Sequence, residues 1–407
     1  MEKDSMTRRV KTGLEILAEE NWARISGSRV GVLSNHTALN QRCEHLVDLL
    51  HKSPSVNLAR IFAPEHGFRA EAQDMIPVNN QTDSVTGTPV VSLYGSTTES
   101  LRPRPDQLED LDIILVDLQD VGSRYYTFAQ TLAYLMIVAK ETNTEVYVLD
   151  RPNPIGGDQV EGAALKLSCR SFCGEAPVPN RHGLTLGELA NVYNRGFGRG
   201  KDAWPEIGAR LSVVPAQDWA RSDYWEDTGL NWNYPSPNMP RIETAVVYPG
   251  MCLFEATNIS EGRGTTLPFE LLGAPYINGA KWISATLDEG VELPGVILRP
   301  AQFIPQFHKW AGKTCGGIQI LVTDRNCFEP LRLGLCLLSA AFKLYPDFAW
   351  RSGAYEFVDN VPAIDLLYGS PQLRESLDRG ETAATLTPEI LSFEKDYIAR
   401  REPFLLY

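Results

Sequence analysis

The chain has 407 residues, 43% hydrophobic and 22% charged, a globular composition long enough for two domains. With 38 basic and 51 acidic side chains its formal charge is −13, which argues against a nucleic-acid or anionic-membrane partner. No stretch reaches the ~20 apolar residues of a membrane span, and the charged N-terminal segment has no apolar signal core, so a cytoplasmic chain is expected.

In chain order, β-branched runs alternate with helical patterns. Strands are expected at Arg29–Ser34, Leu58–Ala63, Pro89–Tyr94, Asp112–Asp117, Glu145–Asp150 and Leu211–Pro215. Helices are expected at Glu44–His51, Ser100–Leu111 and Phe128–Glu141, with another starting near Thr185. Nearly all-apolar strands separated by helices imply a parallel sheet covered on both faces. From Trp219 to Pro240 the sequence is rich in Trp, Tyr, Asn and Pro and reads as a long ordered loop, a feature that is usually functional. Further strands are expected at Glu243–Val247, Gly295–Arg299 and Gly317–Thr323. Helices follow at Pro330–Tyr345, Ala363–Tyr368, Pro371–Arg379 and Pro388–Arg401. The domain boundary is placed near Pro240, giving a Rossmann-like domain over 1–240 and a smaller C-terminal α/β domain over 241–407.

Ligands of an open parallel sheet bind beyond the carboxyl ends of its strands. The segments expected on that rim are polar. They include His36 after the first strand, Pro64–Arg69 with Glu65 and His66 after the second, and Asp117–Tyr126 with Asp120, Arg124 and Tyr125 after the fourth. The first strand-to-helix turn, SNHTALN, has no G-x-G-x-x-G, and the Gly-rich stretch Arg195–Lys201 lacks phosphate-loop spacing, so no nucleotide cofactor is expected. Seven cysteines, of which only Cys169 and Cys173 are closely spaced, suit free thiols in a reducing compartment better than disulfides or a zinc site.

Glu65 stands out because it follows a buried strand directly, where desolvation suits a carboxyl group to general-acid work. Arg124 offers a planar fork for a carboxylate, and Tyr125 and Tyr126 offer flat faces for a sugar. Thr185 and Glu188 have capping-box spacing, with Arg181 and His182 just before that positive helix end. The segment Phe254–Thr265 gathers Glu255, Asn258, Glu261 and Arg263 in a tight polar loop.

Six blocks, PEHGF (64–68), DLQDVGSRYYTF (117–128), DRPNP (150–154), RHGLTLGELA (181–190), PSPNMP (235–240) and ATNISEGRGT (256–265), together resemble the exo-β-N-acetylmuramidases, a family long catalogued only as a bacterial domain of unknown function. The resemblance runs roughly from Gly13 to the C-terminus, in the family's order. It implies a Rossmann-like domain without nucleotide, a smaller C-terminal α/β domain, and release of terminal N-acetylmuramic acid from the non-reducing end of peptidoglycan fragments. It carries Glu65 and Glu261 over as block residues. It also raises export as the alternative to a cytoplasmic location.

Glycoside hydrolysis normally needs two carboxyl groups. Glu65 is the expected acid, and Glu261, Glu255, Asp117 and Asp120 are candidates for its partner. His36, His66, Asp120, Arg124, Tyr125, Arg181, His182, Asn258 and Arg263 are the expected substrate contacts, with an arginine meeting the muramic lactyl carboxylate. No metal is expected. Two other classes stay open. One is a metal-assisted hydrolase using His36, His66, Asp117 and Asp120, and the other a muramyl-sugar binding protein that does not cleave. The sequence sets no oligomeric state.

Overall fold

The β-branched runs of the first half assemble into one seven-stranded sheet. In a computed structural model describing residues 9–68 and 81–407, its strands are β1 (Arg29–Ser34), β2 (Asn57–Ala63), β3 (Gln81–Thr82), β4 (Pro89–Ser92), β5 (Ile113–Asp117), β6 (Glu145–Leu149) and β7 (Leu211–Val214). Their order is β3-β4-β2-β1-β5-β6-β7, and only the short β3 runs antiparallel. β1 and β5 lie at the centre and are buried on both faces, which is why they read as unbroken apolar runs. Helices α1 (Gly13–Glu19) and α2 (Leu46–Lys52) cover one face through Leu14, Leu17, Leu46 and Leu50. On the other face α3 (Phe128–Glu141) and α4 (Leu186–Arg195) pack Leu132, Leu135 and Leu189 into a core that continues into the C-terminal half.

That half is built on α5 (Ile242–Met251) and a three-stranded antiparallel sheet, β8 (Leu271–Ala274), β9 (Val296–Phe303) and β10 (Cys315–Val322), ordered β8-β10-β9. It also carries α6 (Gly279–Leu287), α7 (Pro330–Leu344), α8 (Ala363–Tyr368), α9 (Gln372–Asp378) and α10 (Ala383–Arg401). α5 and α7 meet backbone to backbone: a Cβ on Gly250 would lie 1.8 Å from the Pro330 carbonyl oxygen. The α/β class, the mostly parallel first sheet and the smaller second α/β unit agree with expectation.

Several elements differ. Glu243–Val247 is not a strand but lies in α5, because an apolar run this short fits a buried helix equally well. Ser100–Leu111 is not a helix. Pro103 and Pro105 interrupt it, leaving two 3₁₀ turns, Thr98–Leu101 and Pro105–Gln107. The last helix begins at Ala383 and carries Pro388 inside it. The sequence reading missed α1, β3, α6 and β8. The Trp219–Pro240 loop is ordered around one 3₁₀ turn, Trp225–Thr228, with Trp225 edge-on to Trp232 at 5.2 Å between centroids. Arg69 lies outside the described residues. Among the described residues no helix is long and apolar enough to cross a membrane.

Candidate active site

β2 delivers Glu65. Pro64 to Gly67 form a tight turn closed by the Gly67 N–H donating to the Pro64 carbonyl (3.1 Å), and His66 takes φ +72°, a value that favours glycine. This turn aims Glu65 at the start of α3, where the Thr127 hydroxyl donates to its Oε2 at 2.7 Å. Glu65 and His66 are both buried.

They line a narrow cleft between the first sheet's rim and the C-terminal half. Tyr126 and Phe128 form one wall, Ser236 and Asn238 come from the long loop, and the C-terminal half supplies Glu255, Arg263, Phe269, Tyr355 and Glu356. Backbone strain gathers here: Phe269 (φ +62°) and Glu356 (φ +44°), like His66, hold left-handed conformations. Glu255 is held at both oxygens, by the Tyr355 hydroxyl at 2.6 Å and by Arg263 Nη1 at 2.9 Å. Tyr94 donates to Glu356 Oε2 at 3.1 Å. Burial pushes the Tyr125, Tyr126 and Tyr355 phenols well above their ordinary range, so they stay protonated donors.

Behind the cleft, Arg263 Nη1 also meets Glu261 at 3.1 Å, and Glu261 is clamped by Lys309 Nζ (2.8 Å) and His308 Nδ1 (3.1 Å). Burial works to raise the Glu261 carboxyl, but Lys309, His308 and Arg263 outweigh it and hold the group well below the usual carboxylate range. Glu261 is not among the residues that line the cleft, and it meets the cleft residue Arg263 from behind.

Other expected site residues are placed elsewhere. Asp117 is fully buried and gives both oxygens to Arg151, at 2.5 and 3.0 Å. Arg124 meets no carboxylate. Its guanidinium donates to four carbonyls, two of them Leu367 and Tyr368 at the C-terminal end of α8, and burial lowers it to about 10. Arg181 pairs with Glu161 at 3.1 Å and donates to the Ile155 carbonyl, away from the cleft. Asn258 uses its amide on the Asp347 carbonyl, the Tyr276 hydroxyl and the Ala349 N–H, stitching the C-terminal half. Asp120 accepts from the Gly122 N–H and faces His182 Nε2 at 3.5 Å; His182 Nδ1 accepts from the Leu184 N–H, so the proton sits on Nε2. His36 Nε2 donates to the Tyr234 carbonyl (2.5 Å), tying the long loop to the rim. Tyr125 lines the cleft, but its hydroxyl donates to the Pro249 carbonyl. Glu188 is a capping residue, as its spacing predicts.

Sequence reasoning missed Glu356 and Tyr355. No pattern marks the Tyr355–Val358 turn, and its partners Tyr94 and Phe172 lie far away in the chain. Among the described residues no three His, Cys, Asp or Glu side chains gather as a metal site needs.

A cleft holding three glutamates, an arginine and aromatic walls, on the carboxyl rim of a parallel sheet, has the groups that a carbohydrate-processing α/β enzyme uses. Two family models, the N-terminal and C-terminal domains of the exo-β-N-acetylmuramidase NamZ, match residues 30–243 and 246–407. The chain is 40% identical to the peptidoglycan β-N-acetylmuramidase NamZ of Bacillus subtilis (strain 168) over 402 residues, covering 98% of this chain and 92% of that one. It also superposes on crystal structures of two DUF1343 family proteins of Bacteroides fragilis. The TM-scores are 0.85 and 0.73, the identities 32% and 27%, and in both cases 98% of this chain and 99% of the other is covered. The chain belongs to the exo-β-N-acetylmuramidase family.

Proposed function

We propose that this chain is an exo-acting glycoside hydrolase that releases terminal N-acetylmuramic acid from the non-reducing end of peptidoglycan fragments. The observation that carries the reading is the meeting of Glu65, from the first sheet, with Glu255 and Arg263, from the second unit, in one aromatic cleft. Glu65, oriented by Thr127, gives its proton to the glycosidic oxygen. Glu255, fixed by Tyr355 and Arg263, is the second carboxyl group on the anomeric-carbon side: the bond from that carbon to the protonated leaving oxygen breaks, an oxygen of water takes its place, and the water's proton passes to a carboxylate. Arg263 faces the lactyl carboxylate. Asp117, Arg124, Arg181 and Asn258 hold the scaffold, and Glu261 positions Arg263.

All seven cysteines are free, five of them buried, which supports a cytoplasmic, reducing location. The proposal is tested with a chromogenic N-acetylmuramic acid β-glycoside, its N-acetylglucosamine analogue, and EDTA in parallel. Selective release from the muramic substrate, indifferent to EDTA, is expected. Glu65→Gln should lower kcat by about 10²–10⁴-fold with the fold intact. Near wild-type turnover in that variant removes Glu65 from the mechanism.

A further inference from the structure

A buried thiol lies directly against the second carboxyl group of the cleft. α5 ends at Met251 and tightens at once into a 3₁₀ turn, Cys252–Ala256. In that tighter winding side chains three positions apart eclipse, so Cys252 and Glu255 stand over one another. The Cys252 Sγ–H donates to Glu255 Oε1 at 3.4 Å, and both residues are buried. The start of the turn is fixed from outside by the close contact of α5 with α7 at Gly250, two positions earlier.

The thiol is a dependable donor. Burial first, and then the charge of Glu255, push it well above its ordinary range, so it keeps its proton. Cys252 is 1% exposed, so water does not compete for that proton. The hydroxyl of Tyr248, one turn earlier on α5 and itself on the cleft, lies beside the sulfur.

Glu255 has two other donors, and neither stands on its own turn. Arg263 Nη1 meets the same Oε1 at 2.9 Å but divides itself between Glu255 and Glu261. Tyr355 reaches Oε2 at 2.6 Å from the Tyr355–Val358 turn. Cys252 ties the carboxylate to the backbone that carries it. A thiol is a weak donor, so its contribution is direction and not charge.

We infer that Cys252 is a positioning residue for the hydrolysis, its thiol setting the direction in which Glu255 presents its carboxylate to the cleft. This role rests on Glu255 being the second carboxyl group.

Two measurements on the full chain test the hydrogen bond and the role separately. The first is the infrared S–H stretching band of Cys252, identified by its loss in Cys252→Ser. It should lie below that of a thiol without an acceptor and move upward in Glu255→Gln. The second is turnover of the chromogenic N-acetylmuramic acid β-glycoside. Cys252→Ala should lower kcat about tenfold and leave KM within about twofold, and Cys252→Ser, which keeps a donor, should recover most of the loss. If Cys252 only filled space, the two variants would behave alike, since both remove the sulfur's volume. The infrared arm does not need the alanine variant to fold. Near wild-type turnover in Glu255→Gln removes Glu255 from the mechanism and the role of Cys252 with it. With Glu255→Gln inactive, an S–H band that is the same in Glu255→Gln as in wild type, an unchanged kcat in Cys252→Ala, or equal losses in the alanine and serine variants overturns the role of Cys252 alone.

Discussion

At the scale of single residues, two neighbouring glutamates have separate duties. Glu255 lines the cleft, whereas Glu261, six positions on, is buried behind Arg263 with Lys309 and His308 around it. Glu261→Gln removes one partner from a buried cluster and should cost about 3–5 kcal/mol in denaturant unfolding. Its carboxyl lies below its ordinary value of 4.5, so its stabilisation is complete above that pH and is lost as pH falls through the depressed value. The variant should therefore lose less stability than wild type on acidification below 4.5. Glu65 was legible in the sequence because a carboxylate directly after a buried strand must sit on the rim. Arg124 was misread for a physical reason: a guanidinium suits backbone carbonyls at a helix C-terminus as well as it suits a carboxylate, and nothing local in the sequence distinguishes them.

At the scale of elements, the parallel strands were legible because burial on both faces leaves an unmistakable apolar run. α5 was not, since its ten residues are nearly all buried and carry no period to read. That helix brings Tyr248 to the cleft and rests on α7 at Gly250. Gly250→Ala should push the two helices apart, destabilise the chain by about 1–3 kcal/mol and raise KM, a combination visible in thermal unfolding and steady-state kinetics. α10 makes a different contact, its Glu394 accepting from the Gly162 N–H at 2.9 Å. Burial raises this carboxyl to about 7. The folded chain therefore holds a proton that the unfolded chain releases above 4.5, and this group's contribution to stability falls as pH rises from there through about 7. Glu394→Gln keeps the acceptor and removes the charge. Its Tm should exceed that of wild type by about 2–4 °C at alkaline pH and match it in mild acid, by calorimetry at both.

At the scale of the whole molecule, the two units are joined by buried polar contacts as well as by the shared core. Arg124 caps α8, Asn180 Nδ2 donates to the Leu367 carbonyl, and Glu161 accepts from the Leu331 N–H. With a boundary placed near Pro240, a fragment of residues 1–240 would leave these groups buried or exposed without partners. Such a fragment should show no cooperative unfolding transition by circular dichroism, whereas the full chain should unfold in one step.

Tyr407 has a place on the first sheet's rim. The Tyr407 hydroxyl donates to Asp150 Oδ2 at 2.7 Å, beside the Thr185 hydroxyl on the same oxygen, and its ring packs edge-on against Trp219. Asp150 directly follows β6, and this bond spans 257 positions of chain. Contacts of such separation slow folding, because a long loop must close before they repay its entropy. During synthesis β1 to β7 emerge long before Tyr407 does, and the Asp150 rim has to wait with one donor missing until Tyr407 arrives.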